Sequence, residues 1–297
     1  MQVVDPHIHL WDLSTHHYPW LANPQTSFVG DARDLRHDYL IGDLLRDAED
    51  IDVLKLVHVD ANHDPADPVE ETRWLQGIAD GEGRGKPNGI VAGADLSADN
   101  APQVLEAHAA FANTRGIRQI LNVHENPLYD YVGRHYMHEP QWRKHFGLLR
   151  RFGLSFDLQL YPSQMADAAQ LAREHADTQF VVNHAGMFVD RASPAGYRAW
   201  REGMRALAAC PNVAVKVSGL AMFDHDWTIE SFRPYVLETI DTFGCDRAMF
   251  ASNFPVDRLF GSYTAIWSAY ARIVSDASSS EKEALFVRNA ERFYRII

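Results

Sequence analysis

Cysteine is nearly missing from this chain of 297 residues, with only Cys210 and Cys245 present. They lie far apart and fit no metal-ligand spacing, which argues against a cysteine-held metal or a disulfide framework and points to buried or free thiols in a reducing cytosol. Long hydrophobic runs are also missing. No stretch approaches the ~20 apolar residues that span a bilayer, and Asp5 and His7 stand where a secretion signal would be apolar. Positive charge is scarce, 28 Lys and Arg against 40 Asp and Glu, for a formal net charge of −12. Such an excess of acid argues against a nucleic-acid surface or a polybasic membrane contact, so an anionic ligand would need a local cluster of cations. Finally, no G-x-G-x-x-G follows any expected strand, which removes the usual dinucleotide-binding turn. A soluble, cytoplasmic protein acting on a small molecule is expected. The oligomeric state is not written in these patterns, and a homo-oligomer is compatible with them.

What is present is a regular alternation. The chain is 46% apolar and 23% charged, enough to bury a large core. Short β-branched runs begin at Val3 and recur at 53–60, 89–95, 116–123, 154–160, 180–184, 213–218 and 248–253, separated by segments whose apolar residues repeat at helical spacing. One such helix is expected to start at Ser163 as N-cap, and the last, from Ser280 to Arg295, to open with a capping box made by Ser280 and Glu283. Eight β/α units without a break in composition predict one domain over residues 1–297, a (β/α)₈ TIM barrel with C-terminal helices. Between the first strand and the next helix lies a long loop, Trp11 to His37, carrying Trp11, His16, His17, Tyr18, Trp20 and two prolines. Loops of that length are usually functional or disordered, and the aromatics favour a lid or a wall of a substrate pocket.

In such a barrel the active site lies at the C-terminal ends of the strands. Alternation puts Asp5, His7 and His9 on one face of the first strand, opposite Val4, Ile8 and Leu10. By the same rule His58 and Asp60 face the lumen opposite Val57 and Val59, followed by Arg118, Asn122 and His124 on the fourth strand and Asp157, Gln159 and Tyr161 on the fifth. His184 ends the sixth strand, Lys216 and Ser218 alternate on the seventh, and Asn253 and Asp257 follow the eighth. Any one of these is readily a satisfied core polar group. Together they must be paired with each other or with a ligand, because a lone buried charge costs several kcal/mol. Two imidazoles at a strand end suit a divalent metal, a polarised carbonyl, or a plain hydrogen-bonded pair.

The ordered set His7-x-His9, Trp11-Asp12, Tyr18-Pro19-Trp20-Leu21, Glu71-Thr72-Arg73-Trp74-Leu75, Gly116-Ile117-Arg118, His184-Ala185-Gly186, Lys216-x-Ser218-Gly219 and Ser252-Asn253-Phe254-Pro255-Val256 resembles the amidohydrolase superfamily. The resemblance is to the branch holding 2-pyrone-4,6-dicarboxylate lactonase and sugar-acid lactonases. It implies a hydrolase that opens a cyclic ester by attack of water on the carbonyl. Carried over, His7, His9 and His184 would polarise the carbonyl or bind metal, and Arg118 would grip a carboxylate or hydroxyl of an oxygen-rich substrate, with Gln159, Tyr161, Lys216, Ser218 and Trp20 as further binding residues. Two positions depart from the pattern. Asn253 stands where the family has an aspartate base, and an amide takes no proton from water at neutral pH. Gln159 or Tyr161 stands where metal-dependent members carry a histidine. No cofactor is therefore required, and a divalent zinc or manganese, if bound at all, would rest loosely on His7 and His9. The base would then be Asp257 or His124, with Asp157 and Asp60 each read first as a partner for Arg118 or Lys216. Two other readings compete: a metal-dependent amidohydrolase or decarboxylase, and a catalytically silent ligand-binding barrel in which Asn253 records a lost base.

Overall fold

The computed structural model describes residues 1–23 and 27–296; residues 24–26 of the loop after the first strand lie outside the described residues. Eight strands, Gln2–Ile8 (β1), Asp52–Val59 (β2), Gly89–Gly93 (β3), Thr114–Ile120 (β4), Ser155–Gln159 (β5), Phe180–Val182 (β6), Val213–Val217 (β7) and Ala248–Phe250 (β8), pair in parallel in that order. Helices fill the intervals, and the array is the expected (β/α)₈ barrel. It closes just beyond the strands, where the Asn253 N–H donates to the His7 carbonyl at 2.9 Å and the His9 N–H to the Phe254 carbonyl at 2.7 Å. Closure thus falls on the segments that carry His7, His9 and Asn253.

Two layers of packing show why the strands read as they do. Phe156, Leu158, Val215 and Val217 pack outward into the main core against the helices. Val4, Val57, Val59, Val91, Val181, Ala214 and Met249, from six strands, meet in a second cluster with Tyr294 and Ile296. Only the barrel interior brings six strands to one cluster, so this is its floor, sealed by the C-terminal helix Asn289–Tyr294.

Local boundaries differ from expectation for identifiable reasons. Several strands stop one to three residues early, because their polar ends turn into loops above the barrel. The capping box at the start of the last helical stretch is made by Ser278 and Glu281, not Ser280 and Glu283; both pairs have the same spacing, and the chain uses the first. Ser163 lies inside a 3₁₀ turn, Pro162–Gln164, rather than capping the following helix, Met165–Glu174. The long loop also contains a helical turn, Pro19–Ala22, and a 3₁₀ turn, Ala32–Leu35.

Candidate active site

The first strand does not keep a simple two-residue alternation. Asp5 pairs with Leu56 and Ile8 with His58, so three steps on β1 answer two on β2, a bulge that shifts the phase of the strand. Val4 and His7 therefore both face inward. Asp5 faces away from the lumen and accepts hydrogen bonds from the backbone N–H groups of His7 and Ser252 and from the Tyr263 hydroxyl. It anchors main chain rather than the His7 ring. Burial holds its pKa up at about 6 against these donors. On β2 the interior residues are Val57 and Val59, so His58 turns outward, its Nε2 3.2 Å from the Leu10 carbonyl oxygen; it does not face the lumen as alternation alone suggested.

Three histidines converge at the top of the lumen. The His7 ring lies 5.0 Å from that of His9 and 4.5 Å from that of His184. All three are buried, and desolvation, reinforced by Lys216 at His7 and by Arg118 at His9 and His184, holds their pKa values well below the ordinary imidazole range. They are neutral rings at physiological pH. His9 Nδ1 stands 2.7 Å from the Val59 carbonyl oxygen, and His184 Nδ1 stands 3.0 Å from the Ser218 hydroxyl. His184 sits in a left-handed run, with φ of 53°, 48°, 77° and 48° from His184 to Met187. Gly219, with φ of 62°, lies so close that a Cβ there would be 2.5 Å from His184 Nδ1.

Beneath this cluster lies a wholly buried ion pair. Lys216 Nζ is 2.6 Å from Asp157 Oδ2 and 3.3 Å from His7 Nδ1. Asn183 Nδ2 and the Tyr294 hydroxyl also donate to Asp157. Burial lowers the Lys216 pKa to about 8, with Asp157 opposing that shift. Lys216 thus lies below the histidines and is committed within the protein. Arg118 forms the opposite wall: Nη1 donates to Gln159 at 3.0 Å, Nη2 donates to the Asp60 backbone carbonyl, and Nε is 3.5 Å from Asp60 Oδ2. The two carboxylates do partner the two cations, and the pairing left open by the sequence is Asp60 with Arg118 and Asp157 with Lys216.

The remaining expected residues are placed apart from the histidines. His124 packs against Tyr129 and Tyr161 and stands 3.8 Å from Asp190 at the rim. The Tyr161 hydroxyl donates to the Tyr129 carbonyl. Asp257 is buried and accepts from Asn253 Nδ2 at 2.8 Å, and burial pushes its pKa up to about 8. It holds Asn253 in place. A cavity of about 500 Å³ opens beside Arg118, lined among others by Trp20, Asp60, Glu71, Asp95, Tyr131 and Tyr136; the three histidines are not part of its lining, and Arg118 is the link between the two. Trp20 is fixed there by donating to the Ala61 carbonyl. The first-strand loop therefore supplies a pocket wall, as its aromatics suggested. Glu71, whose carboxylate faces the Ala61 N–H and whose pKa is raised by burial and by Asp60, was not foreseen as a cavity residue, nor were Asn183 and Tyr294 as supports of Asp157. A first-turn acid in the Glu71-Thr72-Arg73-Trp74-Leu75 segment was the available signal for Glu71; nothing local marks Tyr294.

Residues 4–296 match the amidohydrolase family. The chain belongs to that family. Among relatives, this amidohydrolase is 48% identical over 296 residues to the uncharacterised protein y4mH of Sinorhizobium fredii, covering 99% of this chain and 98% of the relative. It is 28% identical over 309 residues to an L-fucono-1,5-lactonase of Burkholderia multivorans, covering 99% and 96%. A solved amidohydrolase from Burkholderia multivorans, crystallised with bound zinc, superposes with a TM-score of 0.82 at 25% identity over 99% of each chain.

That zinc raises the question of whether the donor set of this amidohydrolase suits a metal. A zinc centre needs three or four lone pairs aimed at one point. Among the described residues no group of three His, Cys, Asp or Glu side chains is arranged to hold an ion. Engagement of His9 Nδ1 and His184 Nδ1 leaves the Nε2 atoms of those rings free, but no carboxylate joins them, since the Asp257 carboxyl is turned to Asn253. The described residues by themselves assemble no such centre. Among the described residues no helix is long and apolar enough to cross a membrane.

Proposed function

We propose that this amidohydrolase is a single-domain enzyme that opens the lactone ring of a small, hydroxyl-rich substrate by attack of water on the carbonyl, without a required metal. One observation carries the reading: three neutral, buried imidazoles converge at the top of the barrel, and the Nε2 atom of the central ring, His7, has no partner in the protein. A buried polar atom without a partner costs about 1–3 kcal/mol, and a substrate carbonyl oxygen would relieve it. The L-fucono-1,5-lactonase relatives support the same chemistry.

The cavity supports the substrate class. Asp60, Glu71 and Asp95 on its walls can accept hydrogen bonds from hydroxyls, and Trp20, Tyr131 and Tyr136 offer faces for ring C–H groups. Its cation, Arg118, already faces Asp60 and Gln159. The balance favours a neutral sugar lactone over a multiply carboxylated pyrone, with Arg118 and Gln159 holding ring hydroxyls. Asn253, locked by Asp257, closes the barrel beside His7, while Ser218 orients His184 and Tyr161 and His124 shape the rim. The two free thiols favour a reducing cytosol.

Purified protein assayed by acid release against a panel of sugar 1,5-lactones and pyrone carboxylates tests the reading. Acceleration of sugar lactones, undiminished after dialysis against a chelator, is expected. No acceleration of any member overturns the lactonase reading, and activity lost on chelation and restored by zinc overturns the metal-free one.

A further inference from the structure

Asn253 leaves the proposed hydrolysis without a carboxylate base in the usual place, and the hydrogen-bond partners of the two first-strand histidines point to another. A backbone carbonyl only accepts, so a neutral His9 ring whose Nδ1 lies 2.7 Å from the Val59 oxygen must carry its proton on Nδ1. Its Nε2 is then a bare lone pair. An ammonium only donates, and Lys216, held against Asp157 at 2.6 Å, faces His7 Nδ1 at 3.3 Å. His7 Nδ1 therefore accepts, and the proton of that ring lies on Nε2, the buried atom with no partner in the protein. Two neutral imidazoles 5.0 Å apart, set nearly perpendicular at 79°, thus carry opposite tautomers.

We infer that His9 is the general base of the reaction and His7 the donor that receives the oxyanion, each fixed in its tautomer by a partner outside the substrate, Val59 for one and Lys216 for the other. The assignment rests on the lactonase reading. As a water oxygen bonds to the lactone carbonyl carbon, one water proton passes to His9 Nε2 and the carbonyl π pair moves onto oxygen, where it meets the His7 Nε2–H. Collapse of the tetrahedral centre breaks the bond from carbon to the ring oxygen. The proton on His9 then passes to that oxygen, leaving an open hydroxy acid and His9 as it began. The Asn253 amide need accept no proton in this scheme, and Asp257 serves only to hold it.

Two measurements on the full chain test this. Nitrogen-15 NMR of the histidine-labelled wild type is expected to show His9 protonated at Nδ1 and bare at Nε2, with His7 reversed; a bare Nδ1 at His9, or matching tautomers in the two rings, overturns the assignment. On whichever lactone the wild type opens, His9→Gln, whose amide can still reach Val59, is expected to lose on the order of 10²–10⁴-fold in kcat with KM within a few-fold. His9→Ala should regain turnover when imidazole is added. His7→Gln, which keeps a donor, should retain more activity than His9→Gln. A kcat for His9→Gln within ten-fold of wild type overturns the role of His9. Wild type that opens no lactone overturns the reaction, and the NMR experiment, needing neither turnover nor a variant, still decides where donor and acceptor lie.

Discussion

Lys216 Nζ and Asp157 Oδ2 sit 2.6 Å apart with neither side chain exposed to solvent, directly below His7. Removing one member of a buried pair leaves the other uncompensated, at a typical cost of about 3–5 kcal/mol, whereas replacing both by apolar groups is often neutral. Lys216→Met alone should therefore destabilise the protein by about that amount in urea unfolding. The double variant Lys216→Met with Asp157→Leu should recover part of the loss, limited because Asn183 and the Tyr294 hydroxyl then lose their acceptor. Neither variant should recover lactone turnover, because His7 Nδ1 has lost the donor that sets its ring. A double variant as active as wild type would make the pair purely structural.

Gly219 faces His184 across a gap that admits no Cβ. Gly219→Ala would place the methyl 2.5 Å from His184 Nδ1, in a backbone with φ of 62° that alanine adopts only under strain. The ring must move off the Ser218 hydroxyl. Stability should fall by about 1–3 kcal/mol, and kcat by on the order of 10²-fold, the usual consequence of displacing a site group by about 1 Å. Thermal melting and steady-state kinetics on the same preparation separate the two effects; an unchanged kcat would show that the position of the His184 ring does not matter.

The architecture was legible because each strand and helix announces itself by local period, and that Asp60 and Asp157 would partner Arg118 and Lys216 followed from the cost of burying a lone charge, although which carboxylate takes which cation did not. The orientation of Asp5 and His58 was not legible. A bulge between Asp5 and Ile8 changes the phase of β1 without leaving a mark in the apolar pattern. On β2 the interior floor is itself apolar, so Val57 and Val59 face inward and reverse the polar-in assumption. Tyr294 reaches Asp157 from the far end of the chain, a contact that exists only once the last helix seals the barrel.

Arg118 bridges the cavity and the barrel top through donors in a fixed planar array, to Gln159, to the Asp60 carbonyl and beside the Asp60 carboxylate. A lysine keeps the charge and loses that geometry. Arg118→Lys should raise KM for the preferred lactone more than it lowers kcat, with kcat/KM down about 10–100-fold. Arg118→Met should fare worse in stability as well, since Asp60 then stands beside Glu71 without its cation. A lysine variant with unaltered KM would remove Arg118 from substrate binding.

Asp257 gives the clearest dependence on pH. Burial raises its pKa from 3.8 to about 8 in the folded protein, whereas an unfolded chain releases that proton near the ordinary value. Between those two values the folded state holds a proton that the unfolded state has given up, so the contribution of Asp257 to stability falls as pH rises from about 4 towards 8 and is constant above. Asp257→Asn fixes the neutral form and can still accept from Asn253 Nδ2 through its amide oxygen. The variant should match wild type near pH 4 and exceed it progressively at higher pH, by on the order of 4 kcal/mol at pH 7, at about 1.4 kcal/mol per pH unit. Asp5, with its pKa raised to about 6, adds a slope of the same sign, but it is present in both proteins and cancels in the difference. Urea unfolding of the pair at intervals from pH 4 to pH 9 reads the prediction directly. A difference independent of pH, or one that shrinks as pH rises, would show that Asp257 is ionised in the folded protein and that Asn253 is held by a carboxylate rather than by a carboxylic acid.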